Sequence, residues 1–173
     1  MGKGNGDKNK IAIIILSVLC CLSVAVLVVA AAITLNNKNR FVPPAFDESV
    51  IKGTPEVPEG LGYSPIEVEQ GYKVYVCGNL IVNGNDADVY FTSPETNTVW
   101  VLLRMVDEYG TVLGETGIVQ PGEYIKSLRL NTVPEQETNV KLKIIAYQPE
   151  TYISMGSVGL KTKLKLINRS DTK

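Results

Sequence analysis

Between Ile11 and Leu35 the chain runs for 25 residues without a charge, a proline, an asparagine or a glutamine. Fifteen of those residues are Leu, Ile or Val. As a helix the segment measures roughly 37 Å at about 1.5 Å per residue, more than the ~30 Å hydrocarbon core of a bilayer. At about −0.3 to −0.6 kcal/mol for each Leu, Ile or Val, insertion is favoured by several kcal/mol with nothing opposing it. A soluble domain built from the rest of a 173-residue chain cannot enclose such a segment on all sides. Residues 11–35 are therefore expected to form one transmembrane helix.

Ala30, Ala31 and Ala32 resemble the small-residue site of a cleaved signal, but the apolar run before them exceeds the usual 7–15 residues. The helix is accordingly expected to stay as an anchor. Cys20 and Cys21 lie in mid-segment with no small residue before them, which fits a lipidated cysteine poorly. They read as two small apolar side chains. Lys3, Lys8 and Lys10 precede the helix, whereas Lys38 and Arg40 follow it. That bias places residues 1–10 as a cytoplasmic tail and the remainder outside.

Five of the nine prolines fall between Phe41 and Pro65, so residues 36–65 read as a stiff, extended juxtamembrane linker. Phe41, Phe46, Val50 and Ile51 are apolar for a spacer and could pack back on the domain as a short turn or strand. From Ile66 the hydrophobic period becomes two. Apolar residues alternate through Tyr72–Val76, Val140–Tyr147 and Leu160–Ile167, and Val99–Val106 is the most apolar run. Asn83-Gly84, Tyr109-Gly110, Pro121-Gly122 and Gln148-Pro149 punctuate them. About seven strands without a convincing amphipathic helix predict an all-β fold over residues 66–168. Its expected form is an antiparallel, immunoglobulin-like β-sandwich with Trp100 as core anchor and residues 169–173 as a tail. Cys77 is the one cysteine outside the apolar segment, so no disulfide framework holds this domain.

The order of anchor, Pro-rich segment and strands frames three turn motifs. They are Asp107-Glu108-Tyr109-Gly110, Gly117 to Gly122, and Tyr147 to Tyr152. In these the chain resembles small, membrane-anchored surface proteins of Gram-positive bacteria. The resemblance implies an envelope location and a β-sandwich rather than an activity. A C-terminal wall-sorting signal of the LPxTG kind is not part of it, so retention is expected to rest on the N-terminal helix.

Histidine is absent, which removes imidazole bases, His metal ligands and His-containing triads. No nucleophile elbow, phosphate loop or zinc motif occurs, and the expectation is a protein that is not an enzyme and carries no cofactor. A net charge of −1 argues against a nucleic-acid partner. Asn83, Asn85, Asp86 and Asp88 crowd oxygen ligands as a calcium loop does, but Asn-Gly is also a strong hairpin signal. The turn is the expected role. Lys73 and Asn168 are loosely placed for an isopeptide bond between first and last strands, and Asn168-Arg169-Ser170 matches a glycosylation triplet.

Lys141 and Lys143 alternate with apolar residues on one strand, and Lys161, Lys163 and Lys165 do so on another. If those strands are neighbours, they present a basic face to anionic envelope polymer or lipid headgroups. The competing role is protection of an edge strand, where lysines discourage pairing with other chains. The expected function is thus non-catalytic contact with the bilayer surface, an envelope polymer or another surface protein. The alternative is an accessory subunit of a membrane assembly acting through its helix, where Ser17, Ser23, Ala25 and Ala30 to Ala32 supply a faint small-residue stripe.

Overall fold

The structure, a computed structural model, describes residues 5–38, 41–69 and 71–166. Two compact units meet in the chain after Val42. The first contains α1, Asn5–Lys38, which encloses the whole predicted apolar segment. Its stretch Ile13–Ala31 is long and apolar enough to cross a membrane, and none of it is buried within the protein. The two serines here do not interrupt this character. Ser17 Oγ donates to the Ile14 carbonyl and Ser23 Oγ to the Cys20 carbonyl, both at 2.8 Å. Each hydroxyl proton is thereby satisfied within the helix, as a lipid-facing surface requires.

The second unit is all-β, as its period-two patterning predicts. Its strands are β1 (Ile51–Lys52), β2 (Tyr63–Val68), β3 (Tyr72–Cys77), β4 (Asn79–Asn83), β5 (Asp86–Ser93), β6 (Trp100–Asp107), β7 (Val112–Glu115), β8 (Glu123–Arg129), β9 (Thr138–Tyr147) and β10 (Ser154–Leu166). The described residues thus hold ten strands where the sequence suggested about seven. The main order is β1-β8-β5-β4-β10-β9-β6-β7, with the β2–β3 hairpin joined to β5 at Tyr75 and Thr92. All pairs are antiparallel except β4–β10, which is parallel and makes the sheet mixed.

The sheet curls until β7 meets the end of β8. There the Asn131 amide donates to the Leu113 carbonyl at 2.7 Å. Gly114 permits this approach, because a Cβ there would lie 2.6 Å from the Arg129 carbonyl oxygen. Inside the curl lie Val74, Leu80, Phe91, Val101, Leu103, Met105, Ile125, Leu142, Ile144 and Leu164, each almost fully buried. A buried amide tightens the frame: Asn97 Oδ1 accepts from the Lys73 amide at 3.0 Å while its Nδ2 donates to the Lys73 carbonyl at 2.7 Å.

Two expectations are corrected. Residues up to 65 are not simply a linker, because the β unit begins at Pro43. Phe46 bridges Ile118 in parallel, Asp47 N donates to the Ile118 carbonyl at 3.0 Å, and Gly117 N donates to Asp47 Oδ2 at 2.8 Å. Of the apolar residues that looked out of place in a spacer, Phe46 lies on the outside of the sheet, where Leu102 and Ile118 are 1% and 0% exposed, and Val50 packs against the core. Trp100 belongs to that outer face rather than the core. Val99, Val101 and Leu103 point inward, so period-two alternation sends Trp100 out. It packs edge-to-face against Phe46 and Tyr152, with ring centres 5.0 and 5.4 Å away.

Candidate functional site

β9 and β10 are neighbours in the register that the lysine-face reading required. Lys161 lies directly across from Lys141, Gly159 from Lys143, and Lys163 from Asn139. On the other side of β9, Arg104 of β6 lies across from Lys143 and Val106 from Lys141. Leu142, Ile144 and Leu164 alternate with these residues and fill the core. Arg104, Lys141, Lys143, Lys161, Lys163 and Lys165 therefore share the outer face of three adjacent strands. Sequence reading missed Arg104, although its alternation with Leu103 and Met105 carried the signal.

From Pro43 onward the chain has 12 Lys and Arg against 17 Asp and Glu, a net of −5. Half of the cations of an acidic domain thus sit on one face. Two of them have carboxylate partners: Arg104 pairs with Glu115 on β7, and Lys163 Nζ lies 3.2 Å from Glu137. Among the described residues Lys141 and Lys161 have none. Like charges directly opposite in an antiparallel pair are destabilising, so this arrangement has a cost. Edge protection accounts for part of it: β9 lies inside the sheet, but β10 pairs with β4 only from Lys163 to Leu166, so the stretch that carries Lys161 has a free edge.

The lysines form one wall of an open groove of about 740 Å³. Lys141, Lys161, Lys163 and Asn139 line it on the β9–β10 side, with Val106, Asp107 and Glu108 on the β6 side. Gly159 leaves bare backbone beside it. A Cβ there would lie 2.3 Å from Lys141 Cε, so the stem of Lys141 lies across the space this glycine leaves. The two carboxylates are engaged by the protein itself. Asp107 Oδ1 accepts from the Thr111 amide at 2.7 Å and the Tyr109 amide at 2.9 Å, and Glu108 Oε1 accepts from Asn139 Nδ2 at 2.6 Å. Desolvation works against ionisation of Asp107, but the bonds from Thr111, Tyr109 and Gly110 together hold its carboxyl below the usual range.

The oxygen-rich loop folds as a turn. Gly84 and Asn85 connect β4 to β5, with Asn83 paired to Asp86 and positive φ at Gly84 only. The turn sits one residue later than the Asn-Gly signal implied. Asp88 is half-buried, and its carboxyl is pushed up by burial and then by Asp86. Among the described residues no group of three or more His, Cys, Asp or Glu side chains could hold a metal. Lys73 pairs with Glu67 across the β2–β3 hairpin at 2.8 Å. Asn168, its suggested isopeptide partner, and the triplet it opens lie outside the described residues, as does the tail.

Comparison with family models, curated proteins and solved structures finds no match. The lysine face and its groove are therefore read from their own chemistry. They offer positive charge on a sheet and a concave surface.

Proposed function

We propose that this chain is a single-pass membrane protein, anchored by α1 with its N-terminus in the cytoplasm, whose β domain is displayed outside the cell. The domain is non-catalytic and makes contact with an anionic partner through Arg104, Lys141, Lys143, Lys161, Lys163 and Lys165. The resemblance to Gram-positive surface proteins suggests the envelope as the setting. The observation that carries the reading is the gathering of six cations on one face of an otherwise acidic unit. A face held against an anionic surface needs such segregation, and simple solubility does not.

The competing reading, a subunit acting through its helix, gains little from the serines. Both hydroxyl protons are already donated within α1, which leaves weaker glue for a neighbouring helix. The decisive experiment is protease cleavage of a C-terminal tag in intact and lysed cells. Cleavage without lysis supports display outside, and protection until lysis places the domain in the cytoplasm and removes the envelope reading. Exchange of residues 11–35 for an unrelated transmembrane helix separates the two roles: retained function supports the displayed domain, and loss supports the subunit.

A further inference from the structure

We propose that the groove between β6 and the β9–β10 pair is a binding site for phosphate groups, with Lys141 and Lys161 as its principal ligands. This rests on the reading of the lysine face given above and names the chemistry it selects.

The two ammonium groups come from residues directly opposite each other on adjacent strands. Opposed residues stand about 5 Å apart at the backbone, and both side chains are flexible, so both can converge on one tetrahedral anion. Neither has a counter-ion among the described residues, which leaves their charge available. Lys163, partly neutralised by Glu137, adds a third donor one row along. Asn139 does not compete, because its amide is spent on Glu108.

Phosphate is favoured over carboxylate by the kind of cation present. The fork of an arginine suits carboxylate and phosphate alike, and the arginine of this face is already paired with Glu115, so discrimination falls to the lysines. Lysine binds as a compact point charge, and three such heads on one face suit a tetrahedral, more highly charged phosphate better than a flat, singly charged carboxylate. Asp107 and Glu108 on the far wall repel an anion and so confine it to the β9–β10 side. At about 740 Å³ the groove exceeds a single phosphate, and its open form admits a phosphodiester strand or a lipid headgroup.

The test uses the full chain in a non-ionic detergent, with poly(glycerol phosphate) as the soluble probe and polyglutamate of matched charge as the carboxylate control. A third arm uses nanodiscs of phosphatidylglycerol against nanodiscs of phosphatidylcholine. Expected are preference for phosphate over polyglutamate and about tenfold weaker binding in K141Q/K161Q, with a salt slope shallower by about 1.5. K52Q/K126Q, with the same change of net charge off this face, is expected to bind as the parent does. Tight binding to the polymer alone assigns the site to a soluble phosphodiester, and selective binding in phosphatidylglycerol nanodiscs assigns it to a headgroup.

Because the substitutions relieve a like-charge pair, the thermal midpoint of K141Q/K161Q should not fall, which separates lost binding from lost folding. Equal binding of polyglutamate, or equal weakening in both double variants, overturns the proposal. These outcomes do not depend on the topology of the chain, so failure here is distinct from protection of the tag.

Discussion

Gly117→Ala tests whether the segment after Pro43 is part of the β domain. A Cβ at Gly117 meets Asp47 N at 2.5 Å, Asp47 Cα at 2.6 Å and the Phe46 carbonyl carbon at 2.7 Å. All three are main-chain atoms, so no side-chain rotation relieves the clash. The segment must lift away from the sheet. Two backbone hydrogen bonds between it and Ile118 are lost, together with the bond from Gly117 N to Asp47 Oδ2. At about 1 kcal/mol for each neutral bond and ~1.5 for the charged one, this removes roughly 3.5 kcal/mol. Half re-exposing Leu102 and Ile118 adds about 2 kcal/mol. Freeing about four residues returns roughly 4 kcal/mol of backbone entropy. The net loss is about 1.5 kcal/mol, or roughly 6 °C in thermal midpoint for a unit of about 120 residues.

The sole tryptophan reports the local event, because Trp100 packs against Phe46. Gly117→Ala should therefore shift its emission to the red at temperatures where circular dichroism still shows intact strands. Asp47→Ala removes the carboxylate's bonds from Gly117 N and Ser49 without a steric clash and should cost about as much. An unchanged midpoint together with unchanged emission in Gly117→Ala would refute the docking of residues 45–49 on the sheet.

A fragment starting at Pro43 should fold with a strand-dominated circular dichroism spectrum. One starting at Thr54 also loses the β1–β8 pairing and the Gly53 to Gly122 hydrogen bond, and should melt lower than Gly117→Ala; equal midpoints for the two fragments would contradict this boundary. Cys77 is 0% exposed, and burial, aided by Asp88, pushes its thiol up to about 11. At pH 8 only about one molecule in a thousand carries the thiolate, so in a C20A/C21A background maleimide should label the folded chain only at the rate of unfolding. Labelling as fast as a free thiol would show that the β3 core is open. The Asp88 carboxyl is raised by burial and by Asp86, so it favours the folded state when protonated and disfavours it once pH rises through its folded value. Asp88→Asn should accordingly raise the midpoint at pH 7, with the gain vanishing below the ordinary value of 3.8; a loss at pH 7 would mean that the charged carboxylate is stabilising.

The helix and the all-β character were legible because each follows from a local period. Twenty-five uncharged residues have one physical outcome, and alternation in β9 and β10 survives folding unchanged. What remained hidden depends on partners distant in sequence. Phe46 and Ile51 have no alternating context of their own, and their strand-like pairings exist only because Ile118 and Tyr124 supply the other half. The prolines around them gave the stronger local signal, which is why the segment read as a linker. Trp100 was misplaced for a related reason. Size and aromaticity argue for the core, but parity along β6 decides the face, and Val101 and Leu103 had already claimed the inside.

The candidate site shows the same division. Alternation alone places Lys141 and Lys143 on one face and Lys161, Lys163 and Lys165 on another. Only the register makes these faces one surface, and a slip of one residue between β9 and β10 would send either set into the core. Burial of Leu142, Ile144 and Leu164 forbids that slip, so the core dictates the opposition of Lys141 to Lys161. The repulsion between them is then a cost of that register, set against the packing of the Lys141 stem across the space that Gly159 leaves. β10 pairs with β4 only from Lys163 onward, so a free edge explains the charge at Lys161, but not at Lys141 on the interior strand β9. Edge protection leaves Lys141 unexplained, and the proposed anion, shared by the two ammonium groups, would offset the repulsion that their opposition creates.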